Sequence, residues 1–283
     1  MRVSNILVEE SLHYTQDKPD FSVREDEIYA LNDIAEYCRN QYVNEKISYH
    51  DDILWYIEVE YGVRLVDWLY GSRDGGGDEC WRMLLEILDK SCTSYDDTVS
   101  FEHPIYISLG EFDGTAADKE EYLEKRRGYL SLCQTVEEYD RFMRSCFINS
   151  AFAKDIISEM SHIKDFSLCA EEITKCLSVL NDEAVDLYNK YHNNLKEAMN
   201  ILSAKLLACS PDPGNSGKLN FVFAYEDQVN GKTVDRTKVI NCSPHLKLIR
   251  RDSNLRIYFY WCDKDIDNGT KVLIGRIGRH PYR

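Results

Sequence analysis

Hydrophobic residues recur along this chain first at helical spacing and then, near its end, at strand spacing. Ile28, Leu31, Ala35, Cys38 and Tyr42 follow the capping-box pair Ser22 and Glu25 and predict a first helix. The run 54–61 mixes aromatic, β-branched and acidic residues in near alternation, which predicts a strand or an irregular entry. Trp81, Leu84, Leu85 and Leu88 form a helical stripe after three consecutive glycines, and Ile105, Ile107 and Leu109 alternate as a short strand would. Thr135 with Glu138 is a second capping box, ahead of Tyr139, Phe142, Met143 and Cys146 on one face. A further stripe runs through Cys169, Ile173, Cys176, Leu177 and Leu180. Asn181 then reads as the N-cap of a long helix over 182–207, with Leu187, Tyr191, Leu195 and Leu202 among its apolar positions. It stops in 209–217, where Pro211, Pro213, Gly214 and Gly217 oppose a helix.

Beyond that point the period becomes two. Leu219, Phe221, Phe223 and Tyr225 alternate with other residues, and β-prone runs follow at 238–243, 246–250, 255–261 and 271–277. The predicted fold class is α+β: a mainly helical region over 1–208, a linker over 209–217, and a small antiparallel β domain over 218–283 with helix 182–207 packed on it. A hairpin loop over 251–254 sets Arg250 opposite Leu255, Lys247 opposite Tyr258 and His245 opposite Tyr260. One face of the sheet then carries His245, Lys247, Arg256, Tyr258 and Tyr260, while Leu246, Leu248, Leu255, Ile257, Phe259 and Trp261 face the core.

Charge sharpens this division. The net charge of −15 is uneven: residues 215–283 hold 13 Lys and Arg against 7 Asp and Glu, a net of +6, which leaves −21 on the rest. Such asymmetry suggests that the two parts meet each other or meet different partners, the acidic helical part a protein and the basic sheet a polyanion. The ten cysteines show no CxxC pair and sit mostly in apolar stripes, so they read as reduced core residues of a cytoplasmic protein, with no metal site. No run of 18 apolar residues occurs, and no membrane partner is expected. Gly214 and Gly217 before Lys218 stand too close together for a phosphate loop, and a strand follows instead of a helix; no cofactor is expected.

A cationic face interleaved with tyrosines suits RNA, because Lys and Arg meet phosphates and rings stack on unpaired bases. His245-Leu-Lys247, Leu255-Arg-Ile-Tyr-Phe259 and Leu273-Ile-Gly-Arg-Ile-Gly-Arg-His-Pro-Tyr282 resemble the RelE/YoeB-like toxins, small bacterial ribonucleases that cut messenger RNA, typically on the ribosome. The resemblance covers the C-terminal part alone. It implies a curved antiparallel sheet packed on helices, with Lys247, Arg256 and Arg276 as the basic strand residues and His280 and Tyr282 as the C-terminal His and Tyr. In such an enzyme His280 carries protons, Arg256 and Arg276 stabilise the phosphorane with Lys247 as a point charge, and Tyr282 stacks or assists proton transfer. His245, Tyr258, Tyr260 and Arg279 would line the RNA path. The implied role is the effector of a toxin–antitoxin or phage-defence system. The other reading is a non-enzymatic component of a multiprotein assembly, its helical part on a protein and its basic sheet on nucleic acid or an acidic surface.

Overall fold

The computed structural model describes residues 4–17, 21–50, 52–71, 79–95, 105–109, 112–206, 208–211, 216–229, 232–248 and 254–281. The fold is α+β, and the chain divides into two compact units, Met1–Tyr129 and Leu130–Arg283. No helix among the described residues is long and apolar enough to cross a membrane.

The first unit contains strands Ser4–Leu7 (β1), Ile47–His50 (β2), Glu58–Glu60 (β3), Val63–Arg64 (β4), Cys92–Tyr95 (β5), Ile105–Leu109 (β6) and Phe112–Ala116 (β7). Its helices are Phe21–Arg39 (α1), Ile53–Tyr56 (α2), Leu65–Tyr70 (α3), Glu79–Ser91 (α4) and Lys119–Leu132 (α5), the last running across the seam. Five of the strands make a mixed sheet in the order β5-β2-β1-β6-β7. That sheet was not anticipated beyond Ile105–Leu109: β1, β2 and β5 have only four residues, too short to display a period, and Phe112–Ala116 does not alternate apolar with polar residues. Most of the predicted stripes of α1 and α4 hold, since Ile28, Leu31, Ala35, Cys38, Leu84 and Leu88 are buried and Trp81 and Leu85 half-buried, but Tyr42 is exposed because α1 ends at Arg39. At the centre lies a polar network. The Arg126 guanidinium, itself fully buried, donates to both carboxylate oxygens of Glu45 at 2.7 and 2.8 Å and to the Tyr122 hydroxyl at 3.0 Å. Tyr122 in turn donates to Asn5 Oδ1 at 2.7 Å, so β1, α5 and the loop before β2 are held by one hydrogen-bonded cluster.

The second unit holds helices Val136–Cys146 (α6), Ile156–Met160 (α7), Ala170–Tyr191 (α8) and Leu195–Leu206 (α9). Its strands are Ser150–Phe152 (β8), Cys209–Ser210 (β9), Asn220–Val229 (β10), Lys232–Asn241 (β11), His245–Lys247 (β12), Leu255–Tyr260 (β13) and Val272–Arg279 (β14). The Thr135–Glu138 capping box is present in both directions. Asn181, by contrast, is not an N-cap. It lies inside α8, buried, and its Oδ1 accepts from the Asn149 amide and the Ser150 hydroxyl, both at 3.0 Å, which ties the helix to β8. The expected helix 182–207 is the end of α8, a break at 192–194, and α9.

The principal sheet has the order β8-β14-β13-β12-β9, antiparallel except for β8, which runs parallel to β14. Because β8 and α8 pack on β14, residues 130–208 belong with the sheet, and the seam falls at Tyr129 and not in 209–217. Within the expected linker, Cys209 and Ser210 are a strand paired to β12; 212–215 lie outside the described residues.

The β12–β13 register places His245 opposite Tyr258 and Lys247 opposite Arg256. This is two residues from the expected pairing, and a slip of two keeps every side chain on its face. Leu246, Leu248, Leu255, Ile257, Phe259 and Trp261 are accordingly all buried, and Tyr188 of α8 stacks on Trp261 with ring centroids 6.4 Å apart. The other face is where expectation fails. Leu219, Phe223, Ile240 and Cys242 from the β10–β11 hairpin and its flanks bury themselves on Tyr258 and Leu273, so this face is largely covered as well. A hairpin whose own apolar residues fall on one side has to bury that side against a partner surface.

Candidate functional site

The site is assembled around the end of β14. Val272, Leu273 and Ile274 are buried sheet residues; Gly275 is then skipped in the pairing with β13, a bulge that re-aims the rest of the strand. Arg276 comes next, opposite Tyr258; Arg279 ends the strand and His280 follows it. The Ala153 amide donates to Ile274 O and the Lys154 amide to Val222 O, both at 2.9 Å, and these bonds set α7 beside β14. Gly278 permits the approach, since a Cβ there would lie 3.3 Å from the Glu159 carbonyl oxygen. The Glu159 carboxylate consequently meets Arg276 Nη2 at 2.8 Å.

Between these elements opens a cleft of about 890 Å³. Asp155, Glu159, His162 and Lys164 line it from α7 and its two flanks, Lys218 from the turn before β10, Asn220 and Phe221 from the start of β10, and Arg276, Arg279 and His280 from the end of β14 and the residue after it. Four cations and two imidazoles therefore face two carboxylates, and one of those carboxylates is already paired with Arg276. Lys218 Nζ donates to Pro281 O at 3.5 Å across the rim. The His280 amide donates to Asn254 O at 2.7 Å, and its ring meets Tyr258 edge-on with centroids 6.3 Å apart. The imidazole is thus held from the backbone and from one flank.

Of the residues singled out from sequence, Arg276, Arg279 and His280 converge here. Lys247, Arg256, His245, Tyr258 and Tyr260 do not line the cleft. Tyr258 is fully buried under the hairpin and His245 nearly so, their rings 5.1 Å apart, so neither can stack on a base. Arg256 donates through Nη1 to its own neighbour's carbonyl, Leu255 O, at 2.7 Å. Tyr260 packs against the same core cluster as the hairpin, and burial raises its phenol above the ordinary value. Tyr282 lies outside the described residues.

Sequence reasoning missed Glu159, His162, Lys164, Lys218 and Phe221. For Phe221 the period-two pattern of β10 gave the strand but not the surface it would reach. For Glu159, His162 and Lys164 there was no local signal, since α7 has only five residues. No group of three metal-ligating side chains occurs among the described residues. Comparison with protein-family models, curated proteins and solved structures finds no match for this chain.

Proposed function

We propose that the second unit binds RNA in this cleft and cleaves it through the RNA's own 2′-hydroxyl, as a cytoplasmic, metal-independent endoribonuclease of the kind the RelE/YoeB resemblance implies. The observation that carries the reading is the convergence of Arg276, Arg279 and His280 with Lys164, Lys218 and His162 in one cleft. Such cleavage requires a base, an acid and cations for the phosphorane, and this set supplies all three. His280, held by Asn254 and Tyr258, takes the proton of the 2′-hydroxyl as its oxygen attacks the adjacent phosphorus. The bond from phosphorus to the 5′-oxygen breaks, and His162, in its protonated form, gives that oxygen its proton. The products are a 2′,3′-cyclic phosphate and a 5′-hydroxyl end. Arg276, oriented by Glu159, and Arg279 bear on the phosphate as planar donor forks, with Lys164 and Lys218 along the flanking backbone. Substrate messenger RNA, bound to the ribosome or free, and a toxin–antitoxin or phage-defence context belong to the same proposal.

The second reading, a non-catalytic nucleic-acid clamp in a larger assembly, is favoured by the Arg276–Glu159 pair, which already occupies part of one cation's capacity. A protein partner would then meet the first unit, where Trp55, Tyr56, Tyr61 and Tyr70 are exposed. One experiment separates the two readings. End-labelled RNA is incubated with the full chain in EDTA, and the ends are analysed. Cyclic-phosphate products that fall by about 10²–10⁴-fold in both His280→Ala and His162→Ala support the nuclease. Binding without products supports the clamp, and neither binding nor products removes both.

A further inference from the structure

We infer that Phe221 is a base-stacking platform on the floor of the cleft, which makes the substrate an unpaired strand; this rests on the nucleic-acid reading above. Phe221 is the second residue of β10, opposite Ile240. It is half-buried: it packs against the core cluster that contains Tyr258 and Leu273, and it also lines the cleft. Its position depends on Gly275. A Cβ added there would collide with the Phe221 ring and sit 2.8 Å from Cys242 Sγ, so only glycine lets the ring lie against β14 at the bulge. The next residue along β14 is Arg276. An apolar ring and the Arg276 guanidinium thereby line one cleft, together with Lys164, Lys218 and Arg279.

That juxtaposition matches one nucleotide: base on the ring, phosphate on the fork. The platform is sequence-tolerant, because every base has a π-face. In a duplex those faces are covered by neighbouring pairs, and a base reaches the floor only by leaving its stack. Of the tyrosines that the sequence offered for stacking, Tyr258 and Tyr260 lie beneath or beside the hairpin, and Phe221 takes over their part from the strand that buries them.

The test uses the full chain and 2′-O-methyl oligouridine, whose blocked 2′-oxygen prevents cleavage, so binding is read alone. Three probes are titrated across a salt series: this strand, the same strand paired with oligoadenosine, and an abasic strand with the same number of phosphates. Stacking is worth about 1–3 kcal/mol per base, a factor of about 5 to 150 in affinity. Wild-type protein should bind the single strand tighter than the duplex or the abasic strand by a factor in that range. The salt slope should be the same for the single and abasic strands, since the phosphate contacts are unchanged. Phe221→Leu should lower affinity for the single strand alone, and Phe221→Tyr should restore it. If the abasic strand binds as well as the intact one, or the duplex binds better, the platform is wrong while RNA binding stands. If wild-type protein binds none of the three, the nucleic-acid reading falls and takes the platform with it.

Discussion

Removing the Glu45 carboxylate should damage the first unit more than removing the Arg126 guanidinium that it faces. The side chain of Arg126 has no solvent exposure, whereas that of Glu45 retains 15%. Glu45→Gln keeps the shape and one acceptor but leaves a cation in the interior without its counter-charge. It also turns an amide N–H₂ toward the guanidinium. The two charge-assisted bonds from Arg126, at 2.7 and 2.8 Å, are the ones affected. Breaking a buried pair in this way costs about 3–5 kcal/mol. In Arg126→Met the apolar stem still packs beside Tyr37 and Tyr122, whose rings the guanidinium had covered at 5.3 and 5.4 Å, and the remaining carboxylate can recruit water. That change should cost about 1–3 kcal/mol. Because two compact units need not unfold together, a single denaturation midpoint is ambiguous. Hydrogen exchange followed by mass spectrometry, read on peptides from β1 and α5, isolates the effect. Arg126→Met costing as much as Glu45→Gln or more would refute the reasoning, as would losses below about 1 kcal/mol from both.

Phe259, fully buried on the helix-covered face of β13, should cost about 3–5 kcal/mol when replaced by Ala, measured as loss of protection in β13 and β14; a loss under about 1 kcal/mol would mean that this face is not the core. Stability should also fall at alkaline pH. Burial pushes the Cys38 thiol from 9.0 up to about 11 and the Cys176 thiol up to about 12. A thiol that keeps its proton folded but releases it unfolded contributes stability that is complete below pH 9.0 and is lost as pH rises toward those folded values. Urea midpoints should therefore drop between pH 8 and pH 11, and the double variant Cys38→Ala, Cys176→Ala should show a shallower drop. An equal slope in the variant would assign the effect to other groups.

The residues of the proposed site were legible in proportion to how local their signal was. Arg276 stands in a strand whose period, length and flanking turn are readable, His280 follows directly after it, and both reach the cleft. Lys247 and Arg256 stand in equally readable strands and do not, because alternation tells which residues share a face but not what covers it. Tyr258 shows the consequence: its face was correct, yet it is buried under a hairpin whose own apolar side had no visible destination in the sequence.

By itself the sequence determined the α+β class, the Thr135–Glu138 cap, the positions of β13 and β14, and the six core residues from Leu246 to Trp261. Each follows from neighbours a few positions apart, where the helical or strand period and the capping bonds are set. The tertiary structure alone decided the rest. It paired Ser150 of β8 with Val272 of β14, drew 130–208 into the unit of the sheet, and moved the seam to Tyr129. It also brought Glu159, His162 and Lys164 from a five-residue helix and the turn after it to the end of β14, beside Lys218 and Phe221 from the hairpin. These placements are pairings between segments far apart in the chain. They are selected by which apolar faces and glycine-sized gaps fit together, and no local spacing of residues records that fit.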